Sequence, residues 1–221
     1  MLLEGFHAVK HALRFGGNVT SLVTTSRPVA VGLAESHAPD LVEAFCRATE
    51  VTKEEFVRRV GRTHPTGVAG FADRPDLPFD RDAPVVLLDN PRNLGNFGAA
   101  IRVAAGLDAG GVLSTGDVDP WHPNVLRGSA GLHFALPVAK ATTLDLAGPL
   151  IAFDADGEPL RGPIPDNAVL AFGSERHGLS DEVRQRAAKV VRLPMRAKVS
   201  SYNLTTSVAM GLYHWAVHRA S

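Results

Sequence analysis

Apolar positions recur at helical spacing in some stretches of the chain and in short solid runs in others, and the two kinds of stretch alternate. In EGFHAVKHALRFG, residues Phe6, Val9, Ala12 and Leu13 fall on one face, which predicts a helix ending at Gly16-Gly17. SLVTT is β-branched and short, as a strand is. APDLVEAFCRA places Leu41, Val42 and Phe45 on one side and reads as a second helix. TEVT is a strand fragment, KEEFVRRVG a short helix and TGVAGFA a closing strand. The first region therefore reads as an αβαβαβ unit of roughly 70 residues. A proline- and charge-rich stretch over 73–83 reads as a linker and divides the chain into residues 1–75 and 76–221.

The second region opens on Pro84–Asp89, an apolar run suited to a strand covered on both faces. A helix follows from Asn96, striped by Phe97, Ile101, Ala104 and Ala105. GGVLST is a strand, HPNVLRGSAGLHF a helix, and LPVAKA, PLIAFDAD and AVLAFGSE are strands. LSDEVRQRAAK is a helix with Ser180 as N-cap. VVRLPM is the last strand and NLTTSVAMGLYHWAVHR the last helix. The alternation predicts an α/β fold with a parallel sheet and helices on both faces. Such sheets bind ligands beyond the C-terminal ends of their strands, and the segments after Asp89, Phe172 and Leu193 lie at such ends.

The 221 residues are enough to bury a core without covalent staples. The single cysteine, Cys46, can form neither an internal disulfide nor a cysteine-rich zinc site, and no metal is expected. The start, MLLEGFHAVK, has no sustained apolar run and no stretch approaches a membrane span, so a cytoplasmic location is expected. Net charge is zero, yet after Glu182 no acidic residue follows, while Arg184, Arg186, Lys189, Arg192, Arg196, Lys198 and Arg219 do. A one-signed stretch is ordinarily a solvated face. Here it flanks a motif-rich segment and suggests an anionic partner.

Three segments carry candidate chemistry. Asn93-Leu-Gly-Asn96-Phe-Gly98-Ala-Ala-Ile-Arg102 opens a helix with polar groups and sets an arginine among apolar residues, where burial is costly unless an anion meets it. A helix cap with a snorkelling arginine explains the same residues. The dinucleotide G-x-G-x-x-G spacing is absent. Gly173-Ser-Glu175-Arg-His-Gly178-Leu179 flanks a carboxylate with glycines directly after a strand, as a tight turn against a ligand or as a plain strand-to-helix turn. His177 in this turn reads as solvated. Leu193-Pro-Met195, followed by Ser201-Tyr-Asn203-Leu204, ends a strand and opens a helix with small polar groups, again a cap in its simplest reading.

Taken in this order and at these separations, Asn-x-Gly-x-x-x-Arg, Gly-x-Glu-x-x-Gly and Leu-Pro-Met followed by Ser-x-Asn resemble the three motifs of the SpoU/TrmH family of RNA 2′-O-ribose methyltransferases, over roughly residues 84–218. Gly5-Phe-His7-Ala-Val9 and His64-Pro-Thr-Gly67-Val68-Ala69 resemble more loosely the small L30e-like substrate-binding domain that precedes the catalytic domain in many members. Ser201-Tyr-Asn203-Leu-Thr-Thr-Ser207 departs from the commoner Ser-Leu-Asn-Val-Ser and is nearer the branch acting on wobble nucleotides of transfer RNA, so the RNA is left open.

The resemblance implies a Rossmann-like methyltransferase domain with a C-terminal trefoil knot, S-adenosylmethionine as cofactor, and rRNA or tRNA as substrate. It implies a homodimer, in which Val208, Leu212 and Trp215 are interface or core residues. It carries catalytic roles onto Asn96, Arg102, Glu175, Ser201 and Asn203, and cofactor contacts onto Phe153, Phe172, Gly173, Gly178, Leu193, Met195, Ser201 and Leu204. RNA phosphates are expected at Arg58, Arg59, Arg62, Arg196 and Lys198. Arg102 is either the base that activates the 2′-hydroxyl or a clamp on the adjacent phosphate; the cost of freeing a guanidinium of its proton favours the clamp. Two rivals are a non-catalytic RNA-binding protein of this fold and a general nucleotide-cofactor enzyme. The full set of polar residues argues against the first and the missing dinucleotide fingerprint against the second.

Overall fold

The computed structural model describes residues 1–141 and 148–219. The chain forms two compact units: Met1–Asp76 with Ala130–Ala135, and Leu77–Ser129 with Leu136–Ser221.

In the first unit, β1 (Leu2–Glu4), α1 (Phe6–Arg14), β2 (Val19–Thr24), α2 (Arg27–His37), α3 (Val42–Cys46), β3 (Thr49–Glu50), α4 (Lys53–Val60) and β4 (Val68–Ala72) follow in order. Phe6, Val9 and Ala12 of α1 are buried, as the helical spacing requires. Thr52 caps α4 through the Glu55 amide, and Gly61 ends it in the left-handed conformation.

This unit departs from the sequence pattern in several places. Its sheet has the order β1-β4-β2-β3 and is mixed: β4 runs antiparallel to β1 and β2, and only β2 and β3 are parallel. β1 and α2 are elements that the pattern does not announce, since β1 is three residues long and α2 buries only Ala30 and Ala34. The helix expected across 38–48 is a 3-10 turn, Pro39–Leu41, followed by the five residues of α3.

In the second unit, β5 (Val85–Asp89), α5 (Leu94–Gly106), β6 (Gly111–Ser114), α6 (Pro123–Gly128), β7 (Val138–Lys140), β8 (Leu150–Pro159), β9 (Val169–Gly173), α7 (Asp181–Arg186), β10 (Lys189–Arg192) and α8 (Leu204–Arg219) follow. All six strands are parallel, in the order β10-β8-β9-β5-β6-β7. Val86, Leu87 and Leu88 of β5 and Leu170 and Ala171 of β9 are fully buried, which is why these strands read as solid apolar runs. The chain leaves β5 toward β6 and β7, then crosses to β8 and inserts β9 between β8 and β5. The sheet's switch point therefore lies beside β5 and β9, where an open sheet offers a crevice.

The helix expected across 122–134 is broken. α6 ends at Gly128, and Ala130 (φ 53°) and Gly131 (φ 78°) turn the chain left-handed before a 3-10 turn at Leu132–Phe134. α5 and α6 pack with almost no gap: a Cβ at Gly98 would lie 2.3 Å from the Val125 carbonyl oxygen. Val208, Leu212 and Trp215 of α8 are buried within the chain and serve its core, which removes them as interface residues. Each such side chain contributes about 1.5–3 kcal/mol.

The imidazole of His11 in α1 is half-buried, and its Nδ1 lies 2.7 Å from the Ala130 carbonyl oxygen. Desolvation by burial holds its pKa below the ordinary 6.5; the backbone hydrogen bond opposes this and nearby Lys10, His7 and Arg14 reinforce it. The unfolded chain therefore takes up this proton first as pH falls, so the stability present above about pH 6.5 is lost progressively below it. The unfolding midpoint, measured by calorimetry, should drop between about pH 7.5 and pH 5, and drop less in His11→Asn. Equal slopes in the two proteins would refute this.

Candidate active site

Three segments meet beyond the C-terminal ends of β5, β9 and β10. Asn93 caps α5, its Oδ1 accepting from the Asn96 amide at 3.0 Å, so Asn96 stands in the first helical turn. After β9 the chain makes a tight turn in which Ser174 and Gly178 exchange backbone hydrogen bonds of 3.0 Å. This turn carries Glu175 and leads into Ser180, which caps α7 as expected. A Cβ on Gly173 would lie 2.1 Å from the Gly178 carbonyl carbon, so only glycine lets the turn fold back on the strand. After β10 the chain crosses from Leu193 to Asn203, and the Tyr202 hydroxyl donates to the Pro194 carbonyl oxygen at 2.8 Å.

The three segments are joined by side chains. Asn96 Nδ2 donates to Glu175 Oε1 at 2.7 Å, and Asn203 Nδ2 donates to Asn96 Oδ1 at 3.1 Å. Thr205 completes the junction: its amide donates to Asn203 Oδ1 at 2.9 Å and its hydroxyl to the Asn96 carbonyl oxygen at 3.1 Å. Beneath, Asp89 is 4% exposed and accepts from the Thr115 hydroxyl and the Ser180 amide, both at 2.6 Å.

Beside this network lies a cavity of about 450 Å³. Phe153, Phe172, Gly173, Gly178, Leu193, Met195, Ser201 and Leu204 line it, together with Glu175, Arg196 and Lys198. The rings of Phe153 and Phe172 stack at 4.6 Å and 18° to form an apolar wall, and Gly211 of α8 leaves room for them: a Cβ there would lie 3.0 Å from the Phe172 ring.

The structure thus brings Asn96, Glu175 and Asn203 together and sets Ser201 on the cavity wall. Arg102 does not join them. It is exposed and makes no hydrogen bond or ion pair with another described residue. Six residues beyond Asn96, it stands about 9 Å along α5 and on a different face. Within this chain the arginine is exposed, as the snorkelling alternative has it, and is not buried against an acceptor. Of the expected RNA contacts, Arg58 and Arg59 pair with Glu55, and Arg62 with Glu4. Arg184 pairs with Asp154, and Arg192 donates to the Gly157 carbonyl oxygen. Arg196 and Lys198 are exposed and form no ion pair among the described residues. Sequence reasoning gives Thr115 and Thr205 no role of their own and takes Asp89 only as the end of a strand. Of the three, only Asp89 carries a signal, a carboxylate closing an apolar run.

An open parallel sheet with a polar junction at its switch point and a mixed cavity beside that junction defines an α/β enzyme that works on a small, partly apolar ligand. Comparison with known proteins narrows the class. Residues 83–213 match the SpoU rRNA Methylase family, and the chain belongs to that family: it is an RNA methyltransferase. A Synechocystis protein described as an uncharacterized tRNA/rRNA methyltransferase is 29% identical, over 96% of this chain and 82% of that protein. The 23S rRNA (adenosine(1067)-2′-O)-methyltransferase of Streptomyces laurentii is 31% identical over 74% of this chain, which spans 63% of that enzyme's length. Among solved structures, the AdoMet-bound rRNA methyltransferase from Sinorhizobium meliloti superposes with a TM-score of 0.76 at 26% identity, over all of this chain and 88% of that one.

Gly173→Ala should displace the turn bearing Glu175. We expect an affinity for S-adenosylmethionine lower by on the order of 10-fold or more in calorimetric titration. Unchanged affinity would show that the turn's close approach is dispensable.

Proposed function

We propose that this chain transfers a methyl group from S-adenosylmethionine to a ribose 2′-hydroxyl of ribosomal or transfer RNA, in the cavity lined by β8, β9 and the segments that follow β9 and β10. The observation that carries the reading is the hydrogen-bonded chain Asn203–Asn96–Glu175 at that cavity's edge. The cavity suits the cofactor. Its volume lies within the ~300–1,000 Å³ usual for small-molecule sites. Its apolar wall of Phe153, Phe172, Leu193 and Leu204 fits a purine, while Glu175 and Ser201 offer partners for ribose hydroxyls.

The cofactor supplies a methyl group already activated on a sulfonium. The protein's task is therefore to align the acceptor and assist loss of its proton. Glu175, Asn96 and Asn203 hold the three loops in register, and Ser201 faces the reacting groups from the cavity wall. Arg102 clamps the phosphate beside the target ribose and stabilises the developing alkoxide. A guanidinium holds its proton too tightly to serve readily as a free base.

The assembly is a homodimer with the cavity near the interface. Two features of the single chain support this: Arg102 stands clear of its own chain's network, and Tyr213 and Val217 on α8 are exposed. Residues 76–221 form a Rossmann-like domain with a C-terminal trefoil knot, and residues 1–75 an L30e-like substrate-binding domain. The placement of β10 at the sheet edge beside β8, with α8 then packing on α5, supports the knot. The protein works in the cytoplasm; no helix among the described residues is long and apolar enough to cross a membrane. Arg196 and Lys198 meet RNA phosphate at the cavity loop, and Arg58, Arg59 and Arg62 do so after releasing their carboxylates.

Calorimetric titration with S-adenosylmethionine, followed by mapping of ribose methylation in ribosomal and transfer RNA from a deletion strain, tests the activity. Absence of cofactor binding, or an unchanged methylation map, would overturn it. Arg102→Ala should lower kcat on the order of 10²-fold or more. Arg102→Lys should also be slow, because it loses the two-pronged geometry, but its pH–rate profile should keep the wild-type shape. A shifted alkaline limb would instead assign the base role to residue 102. Reversing charge at Arg196 and Lys198 should weaken RNA binding and reduce the salt slope by roughly 2, about one for each phosphate no longer neutralised. An unchanged slope would remove these residues from the RNA surface.

A further inference from the structure

Asp89 closes β5, and the parallel register sets it beside Gly173, the residue from which the turn carrying Glu175 departs. Its carboxylate is buried and forms no ion pair with a described residue; two hydrogen-bond donors hold it. One is the Ser180 amide, where the Glu175 turn ends and α7 begins. The other is the Thr115 hydroxyl, which also accepts from the Asn90 amide at 2.9 Å. Asn90, in the left-handed conformation at φ 52°, begins the loop that leads to Asn93 and Asn96. The order is therefore Asn90 N–H to Thr115 Oγ1, Thr115 O–H to Asp89 Oδ1, and Ser180 N–H to Asp89 Oδ2. The roots of two loops are tied to one carboxylate, and the far ends of those loops meet in the Asn96–Glu175 bond.

We propose that Asp89 and Thr115 are positioning residues that set the alignment of Asn96 against Glu175, and through it the rate of methyl transfer. A carboxylate suits position 89 because it only accepts, and both of its neighbours donate. An amide there would turn a donor toward one of them. The hydroxyl at 115 is required because it must accept from one backbone amide while donating to the carboxylate, which neither valine nor alanine does. The walls of the cofactor cavity rise mainly from β8, β9 and β10, so the tie governs alignment more than cofactor affinity.

The inference rests on the methyl-transfer reading, and two readouts separate the failure of one from the failure of the other. Thr115→Val should lower kcat on the order of 10-fold with the KM for S-adenosylmethionine within about twofold of wild type, since the walls are untouched. Thr115→Ser, which keeps the hydroxyl, should restore the wild-type rate. In nuclear magnetic resonance spectra, the Asn96 side-chain amide should move in Thr115→Val toward its position in Glu175→Ala, the variant without that bond. Should the valine variant fail to fold, Asp89→Asn serves the same measurements. An Asn96 amide at its wild-type position, or a wild-type kcat in Thr115→Val, would overturn the proposal. If the wild-type protein methylates no RNA, the methyl-transfer reading falls and the amide position alone decides this inference.

Discussion

The hydrogen bond from the Asn96 amide to the Glu175 carboxylate is the interaction on which the site's geometry depends. It joins two loops that leave neighbouring strands and have no covalent reason to stay together. Glu175 can only accept, so Asn96 must present Nδ2 to it, and Oδ1 is left for Asn203. A primary amide is suited to this middle position because it donates at one end and accepts at the other. Aspartate there would set carboxylate against carboxylate, and leucine would leave both neighbours unpartnered. A net hydrogen bond to a charged group is worth about 1.5–3 kcal/mol, with the lower end appropriate at this exposed edge. That is modest in stability and large in alignment.

The cavity and the network divide the work between apolar and polar chemistry. Buried parallel strands supply the walls, because their residues are already apolar: Phe153, where β8 parts from β9, Phe172 of β9 and Leu193 just after β10 extend the sheet's own core to the cavity. Helix starts supply the polar groups, because a first turn leaves side chains and backbone amides free to bond across loops. Asn93, Ser180 and Asn203 each cap or begin a helix, and each is within one or two hydrogen bonds of Glu175 or Asp89. The positive tail after Glu182 is partly consumed within the fold by Asp154 and the Gly157 carbonyl. Arg186, Lys189, Arg196 and Lys198 are exposed and form no ion pair among the described residues, and of these Arg196 and Lys198 stand at the cavity.

Legibility in the sequence follows physical signal strength. The second unit is readable because strands buried on both faces leave solid apolar runs, and Ser180 announces its helix by a local hydrogen bond. The first unit is less so. α2 buries only two alanines, and a three-residue strand such as β1 carries almost no pattern. The break in the helix near Gly128 is invisible because a left-handed alanine at 130 has no compositional mark. Val208, Leu212 and Trp215 can be named as apolar positions of α8, but whether a helix turns them toward its own core or toward a second copy is set by what packs beside it.

The class of fold, the three segments that carry polar groups and their places after strands can be read from the order of residues alone, because these depend on periodicity and on local turns and caps. It takes the folded chain to show that the first sheet is mixed, that Asn96, Glu175 and Asn203 bond to one another, that Arg102 stands apart from them, and that Asp89 is tied to Thr115 and Ser180. Those are relations between residues far apart in the chain. Their existence depends on strand order and register, and neither leaves a trace in the spacing of residues along a single segment.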